Sequence, residues 1–367
     1  MRLVNPHPWP AAWTMGFERD GREAAIVVVK ATYDLPADGQ EPRLADVQLP
    51  LVEADQFHGA PGETAPRLET DFAHRKPACD VLLLGSAYAP PGRRATRVDV
   101  GLRVGALLKR FDVVGDRVWR RNIVGHVASA PQAFERLPIS YDCAFGGSAE
   151  PGAARVFAHP ANPVGRGYWP DDGDADGRPL PNTEETGVPI DAHDEAGYRP
   201  MAFSPLGRNW LPRRNYAGTY DAAWVESRAP LWPSDFDDRY FQAAPVDQTM
   251  PYPQGGEEVV LHHLTPDCRR AFRLPRQPMP VTFIPHRGRD VTREARIDTL
   301  VFEPDEARFT IAWRINLALG RSIFDVKEVI VGEMAESWHR ERRFPGKPYY
   351  RGLAEAVAQR RRQRESA

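Results

Sequence analysis

The sequence predicts a mainly β fold: an antiparallel β-sandwich or partly closed barrel, with a long loop-rich insertion containing short helices and with a C-terminal helix. Three observations carry this expectation. The 36 prolines and 29 glycines punctuate the 367-residue chain too often for long helices. Apolar residues alternate with polar ones at period two near both ends of the chain. Between those ends, about 141–256 is dense in Pro, Gly, Asp and aromatics and is too long to be a structureless loop inside a compact domain.

Taken in order, GFERDGREAAIVVVKATYDL (16–35) opens the strand-rich region, and its AAIVVV (24–29) is the longest aliphatic run. In RVDVGLRV (97–104), Val98, Val100, Leu102 and Val104 alternate with Arg97, Asp99 and Arg103, which predicts a strand with one face in a core. LLKRFDVVGDRVWRR continues through a Gly115-Asp116 turn, so a three-strand meander is expected over 97–121. Later, EVVLHHL (258–264) and RAFRL (270–274) flank TPDCR, while RIDTLVF (296–302) and RFTIAWRI (308–315) flank EPDEA. Both read as hairpins, the second with Phe309, Ile311, Trp313 and Ile315 on one face of a half-buried sheet. The strands thus come mostly from 20–130 and 257–333 of one large domain, 1–350, with 141–256 as its insertion. There, Thr219 is placed to cap a short helix through about Trp224, and Ser234 with Asp237 forms the capping pattern of a second at about 235–242. Residues 351–367 read as a basic helical or disordered tail, with Arg360, Arg361, Arg362 and Arg364 suited to the negative end of a helix dipole.

Composition excludes several function classes. Lys and Arg total 48 against 50 Asp and Glu, without a long block of one sign, unlike a nucleic-acid or anionic-membrane binder. Cys79, Cys143 and Cys268 are few, odd in number and widely spaced, which argues against a disulfide framework and for a reducing compartment. MRLVNPHPWP lacks the apolar stretch of a signal peptide, and AAIVVV falls well short of a membrane span, so a cytoplasmic protein is expected.

Candidate chemistry is sparse. Cys143 in SYDCAFGG, with His126 upstream and flexible glycines beside it, offers a thiol nucleophile, yet without a family-specific cysteine signature a packed thiol is the simpler reading. DDGDADG places Asp172, Asp174 and Asp176 at calcium-loop spacing with Gly177 at the sharp turn, but Thr183 stands where the bidentate Glu belongs, which favours a solvated acidic turn. His262 and His263 lie in a predicted strand and so should point to opposite faces, away from a shared metal. The Gly165-Gly167 turn in NPVGRGYW is explained by the inward packing of Tyr168 and Trp169. No catalytic, cofactor or metal residue is assigned. What remains is a cluster of aromatics, Tyr216, Tyr220, Trp224, Trp232, Phe236, Tyr240 and Phe241, suited to an internal core or to an interface. Asp221, Asp235, Asp237 and Asp238, close in sequence to Arg213, Arg214, Arg228 and Arg239, are expected to form structural ion pairs.

The stretches NPVGRGYW, LPNTEE (180–185), FSPLGRNWLPRR (203–214), GTYDAAW (218–224), PSDFDDRYFQAAPVDQ (233–248) and GGEEVVLHHL (255–264) resemble the bacterial family called domain of unknown function 2169. More loosely, so do GFERDGREAAIVVVKATYDL, DVVGDRVW (112–119) and YDCAFGG (141–147). The resemblance covers most of the chain up to about 335; Tyr168 and Tyr240 stand where Phe is often expected. It implies a type VI secretion adaptor or chaperone, without known catalytic residues, that binds an effector with a PAAR-like tip in the cytoplasm and helps load it onto the VgrG spike. Tyr216, Tyr220, Trp224, Trp232, Phe236 and Tyr240 are the candidate partner-binding residues. Two other readings are a hydrolase using Cys143 or an acidic pair, and a carbohydrate-binding β module using exposed Trp and Tyr.

Overall fold

A computed structural model describes residues 1–123, 125–149, 156–170, 175–194, 197–335, 338, 350 and 353–365. It is mainly β and holds several open sheets, none of them a closed barrel among the described residues. The largest has six strands in the order Thr249–Met250, Cys79–Leu83, Arg296–Glu303, Arg308–Ala318, Glu23–Asp34 and Ala11–Phe17; only the Cys79–Leu83 and Arg296–Glu303 pair is parallel. A second, antiparallel sheet has five: Thr183–Glu184, Leu107–Val114, Arg97–Val104, Glu258–His262 and Arg269–Arg273. A third has four: Arg2–Val4, Val326–Val331, Pro280–Pro285 and Val291–Glu294.

Both expected hairpins form, with Val260 opposite Ala271 in one and Leu300 opposite Ile311 in the other. The two larger sheets meet across one core. Val98, Val100, Leu102, Val104, Phe111 and Leu261 of one face Val27, Val29, Phe309, Ile311 and Trp313 of the other, and Phe272 lies 5.3 Å from Phe309, ring to ring.

Two sequence expectations are corrected. The meander over 97–121 is a two-stranded hairpin, Arg97–Val104 with Leu107–Val114; after Gly115 the chain leaves the sheet, and Trp119–Arg121 pairs instead with His126–Ala128. A Cβ on Gly115 would lie 1.8 Å from the Gln132 carbonyl oxygen, so this glycine serves a close backbone approach. Likewise the sheet carrying Phe309, Ile311 and Trp313 is covered on both faces: Thr310, Ala312 and Arg314 on the reverse side are buried too.

The segment 141–256 is built into the core. Phe203 packs on Phe111 at 4.6 Å and Trp210 on Tyr141 at 5.5 Å. Trp119, Phe145, Ala175, Leu180 and Ile190 form a smaller second core, against which Tyr168 and Trp169 pack as the Gly165-Gly167 turn implied. Helix α1 spans Ala222–Ser227, and Asp221, not Thr219, caps it by accepting from the Trp224 N–H. The second expected helix is a single 3-10 turn, Asp238–Phe241, capped by Asp237 in place of Ser234. Helix α2, Leu353–Glu365, closes the chain as expected. No helix among the described residues is long and apolar enough to cross a membrane.

Candidate partner-binding surface

The aromatic segment holds itself together by edge-to-face and tilted contacts. Tyr220 packs on Trp224 at 4.8 Å, and Trp232 on Phe236 at 4.5 Å and on Phe241 at 5.6 Å. Arg239 lies over the Tyr216 ring and Arg213 over that of Tyr240. Of the six candidate residues Phe236 is buried, Tyr216, Trp224, Trp232 and Tyr240 are half-buried, and Tyr220 is 52% exposed. Tyr220 and Val225 are thus exposed beside half-buried Trp224, while Phe236 is buried against Trp232, Tyr240 and Phe241.

The ion pairs differ from the local set expected. Only Asp237 and Arg239 pair with each other, and the Arg239 hydrogen bond holds the Asp237 carboxyl below its usual range. Asp235 takes the Thr219 N–H and hydroxyl, which lowers its pKa likewise. Asp238 reaches Arg75 and Arg19. Arg213, fully buried, grips both carboxylate oxygens of Glu69 and donates to the Leu206 and Tyr240 carbonyls. Arg228 donates to the carbonyls of Trp232 and Arg19.

These last contacts place the aromatic segment beside the hairpin turn at the end of strand Ala11–Phe17, the outermost strand of the six-stranded sheet. The strand's register settles which way its backbone faces. Lys30 N–H donates to the Pro10 carbonyl and Glu18 N–H to the Arg22 carbonyl, and the pairing between them runs without a shift. In an antiparallel ladder bonded and non-bonded pairs alternate, so Ala12, Thr14 and Gly16 bond inward. Ala11, Trp13, Met15 and Phe17 aim their N–H and C=O groups away from the sheet. Among the described residues none of these groups has a hydrogen-bond partner.

AAWTMGF carries no charge and no proline, and Met15 and Phe17 are exposed. The other outer strands of the three larger sheets are blunted. Arg269–Arg273 carries three arginines, and its Ala271 already pairs with Gly39 and Asp38. Val291–Glu294 is short and charged, and Arg2–Val4, Thr183–Glu184 and Thr249–Met250 span three residues or fewer.

The remaining sequence candidates fall elsewhere. Cys143 ends a 3-10 turn, and His126 packs edge-on to His193 at 5.0 Å. The glycines beside Cys143 serve close packing: a Cβ on Gly146 would lie 2.1 Å from the Asn162 carbonyl oxygen. Asp172 and Asp174 lie outside the described residues, and Asp176 accepts from the Arg121 N–H. His263 adopts a left-handed conformation just past the strand end, so its ring meets that of His262 at 4.6 Å, contrary to the expected divergence. Among the described residues no group of three or more His, Cys, Asp or Glu is placed to hold a metal ion.

A family model described as "Uncharacterized protein conserved in bacteria (DUF2169)" matches residues 20–314. No curated protein and no solved structure matches the chain.

Proposed function

We propose that this chain, which belongs to the DUF2169 family of bacterial proteins, is a non-enzymatic adaptor that grips an extended segment of a partner protein by strand addition. The observation that carries the reading is the open edge Ala11–Phe17, whose outward N–H and C=O groups repeat at the spacing of a β ladder. Tyr220 and Trp224, beyond the hairpin turn, supply aromatic anchoring of the kind that concentrates binding energy at interfaces. The chain works in the cytoplasm, and its partner is a type VI secretion effector with a PAAR-like tip that it delivers to the VgrG spike. The sequence stretches named above favour this reading, and the open edge Ala11–Phe17 is suited to hold an extended strand of a client.

Co-purification with the effector encoded beside it tests the proposal. Proline at Met15 removes an outward N–H and leaves the inward ladder untouched, so Met15→Pro is expected to lose capture by about tenfold or more while remaining folded. Cys143→Ser is expected to keep full capture. Undiminished capture by Met15→Pro would overturn the proposal.

A further inference from the structure

On the reverse face of the six-stranded sheet a cleft of about 320 Å³ opens between strands Arg296–Glu303 and Arg308–Ala318 and the segment His74–Lys76. Its volume is at the lower end of small-molecule sites. The inner cations are already matched. Lys76 bonds Asp80 at 2.7 Å and Thr299 at 2.8 Å, and Arg314 bonds Asp298 at 2.5 Å. Arg75 lies between Glu18 and Asp238. Burial holds His74 below the usual imidazole range, which leaves it uncharged at neutral pH.

The rim is different. Arg293 and Arg296 are exposed, and neither has a carboxylate partner among the described residues. Of the two acids lining the cleft, Asp298 is paired with Arg314 and Glu294 accepts the Met279 N–H through one oxygen. Arg296 lies over the Tyr252 ring at 5.0 Å, and the Tyr252 hydroxyl is itself tied to the Lys76 carbonyl. Stacking of this kind fixes the plane of a guanidinium, and a fixed guanidinium presents two parallel N–H donors matched to an oxyanion.

We infer that this cleft binds a compact polyvalent oxyanion, a di- or tricarboxylate or a phosphate, held by Arg293 and Arg296 at its mouth. The inference is independent of strand addition at Ala11–Phe17, and its test reads neither effector nor edge. Titration calorimetry with citrate and, separately, inorganic phosphate, each against chloride at equal ionic strength, distinguishes a carboxylate from a phosphate ligand. Saturable binding of at least one, weakened about tenfold or more in Arg293→Gln/Arg296→Gln, is the expected result. Both arginines are exposed, so the variant is expected to unfold at the same urea concentration as the parent. A second double variant, Arg43→Gln/Arg289→Gln, removes the same charge from exposed positions outside the cleft and is expected to bind normally. Absence of saturable binding of both anions, or an equal loss in the two double variants, would overturn the inference.

Discussion

Lys109 lies in the strand Leu107–Val114 with its side chain almost wholly buried, while its neighbour Leu108 is 57% exposed. Burial pushes the ammonium pKa down to about 8, with Asp247 at 3.2 Å opposing the shift. Between about pH 8 and the ordinary lysine value of 10.5 only the unfolded chain holds this proton, so stability should rise with pH across that window. The contribution is up to about 3 kcal/mol. Lys109→Met removes the titration and leaves Asp247 paired with Arg199 at 2.9 Å, so urea unfolding of parent and variant at pH 7 to 10 should show the difference between them changing by about that amount. A pH-independent difference would contradict the account. Arg213 is the converse case, a buried cation fully matched by Glu69 and two carbonyls. Arg213→Ala is expected to cost about 3–5 kcal/mol in the same measurement, because the Leu206 and Tyr240 carbonyls lose their donor and Glu69 is left with Arg208 at 3.3 Å. Neither role was legible in the sequence. Alternation in LLKRF does not say which of two adjacent residues faces inward, and the partner of Arg213 lies 144 residues away.

Among elements, the two C-terminal hairpins were legible because strict alternation and a short polar turn specify both the strand and its neighbour. The third strand of the supposed meander was not. Its place beside Leu107–Val114 is taken by Thr183–Glu184, a pairing of distant segments that no local pattern announces. Helix caps in the aromatic segment were nearly legible: capping side chains were expected, and Asp221 and Asp237 supply them a few residues away. The proposed function rests on the open edge, and paired proline substitutions test its register. Thr14→Pro breaks the inward ladder and is expected to cost about 2–3 kcal/mol, whereas Met15→Pro should cost about 1 kcal/mol or less. Equal costs would mean that the outward and inward sets are misassigned. Trp224 is half-buried, and its indole N–H donates to the Leu231 carbonyl. Trp224→Ala is therefore expected to cost only about 1–2 kcal/mol, below the range for a fully buried tryptophan, so a larger fall in partner capture would report lost contact.

For the molecule as a whole, the stretches on which the family resemblance rests are the ones that lock distant segments together. Asn162 donates to the Tyr141 and Phe145 carbonyls, and Asn182 to the Val114 carbonyl and to Asp116. Glu184, fully buried, takes Arg97 and Arg117. Gln248 bridges the Val81 and Phe203 carbonyls, and Asp80 receives the Ala243 and Ala244 N–H groups. Polar residues in loop-like sequence thus act as fasteners for 141–256, which is why that segment reads as irregular and yet packs into both cores. The aromatic cluster was legible as a cluster, but its division into exposed and buried residues emerges only in three dimensions. Arg228, at the C-terminal end of α1, donates to the Arg19 carbonyl in the hairpin turn that follows Ala11–Phe17. Hydrogen exchange of a complex with the proposed effector tests the use of this strand most directly. The amides of Ala11, Trp13, Met15 and Phe17 should gain strong protection on binding while those of Ala12, Thr14 and Gly16, already bonded, change little; a stable complex in which the outward four exchange as fast as in the free chain would contradict the account.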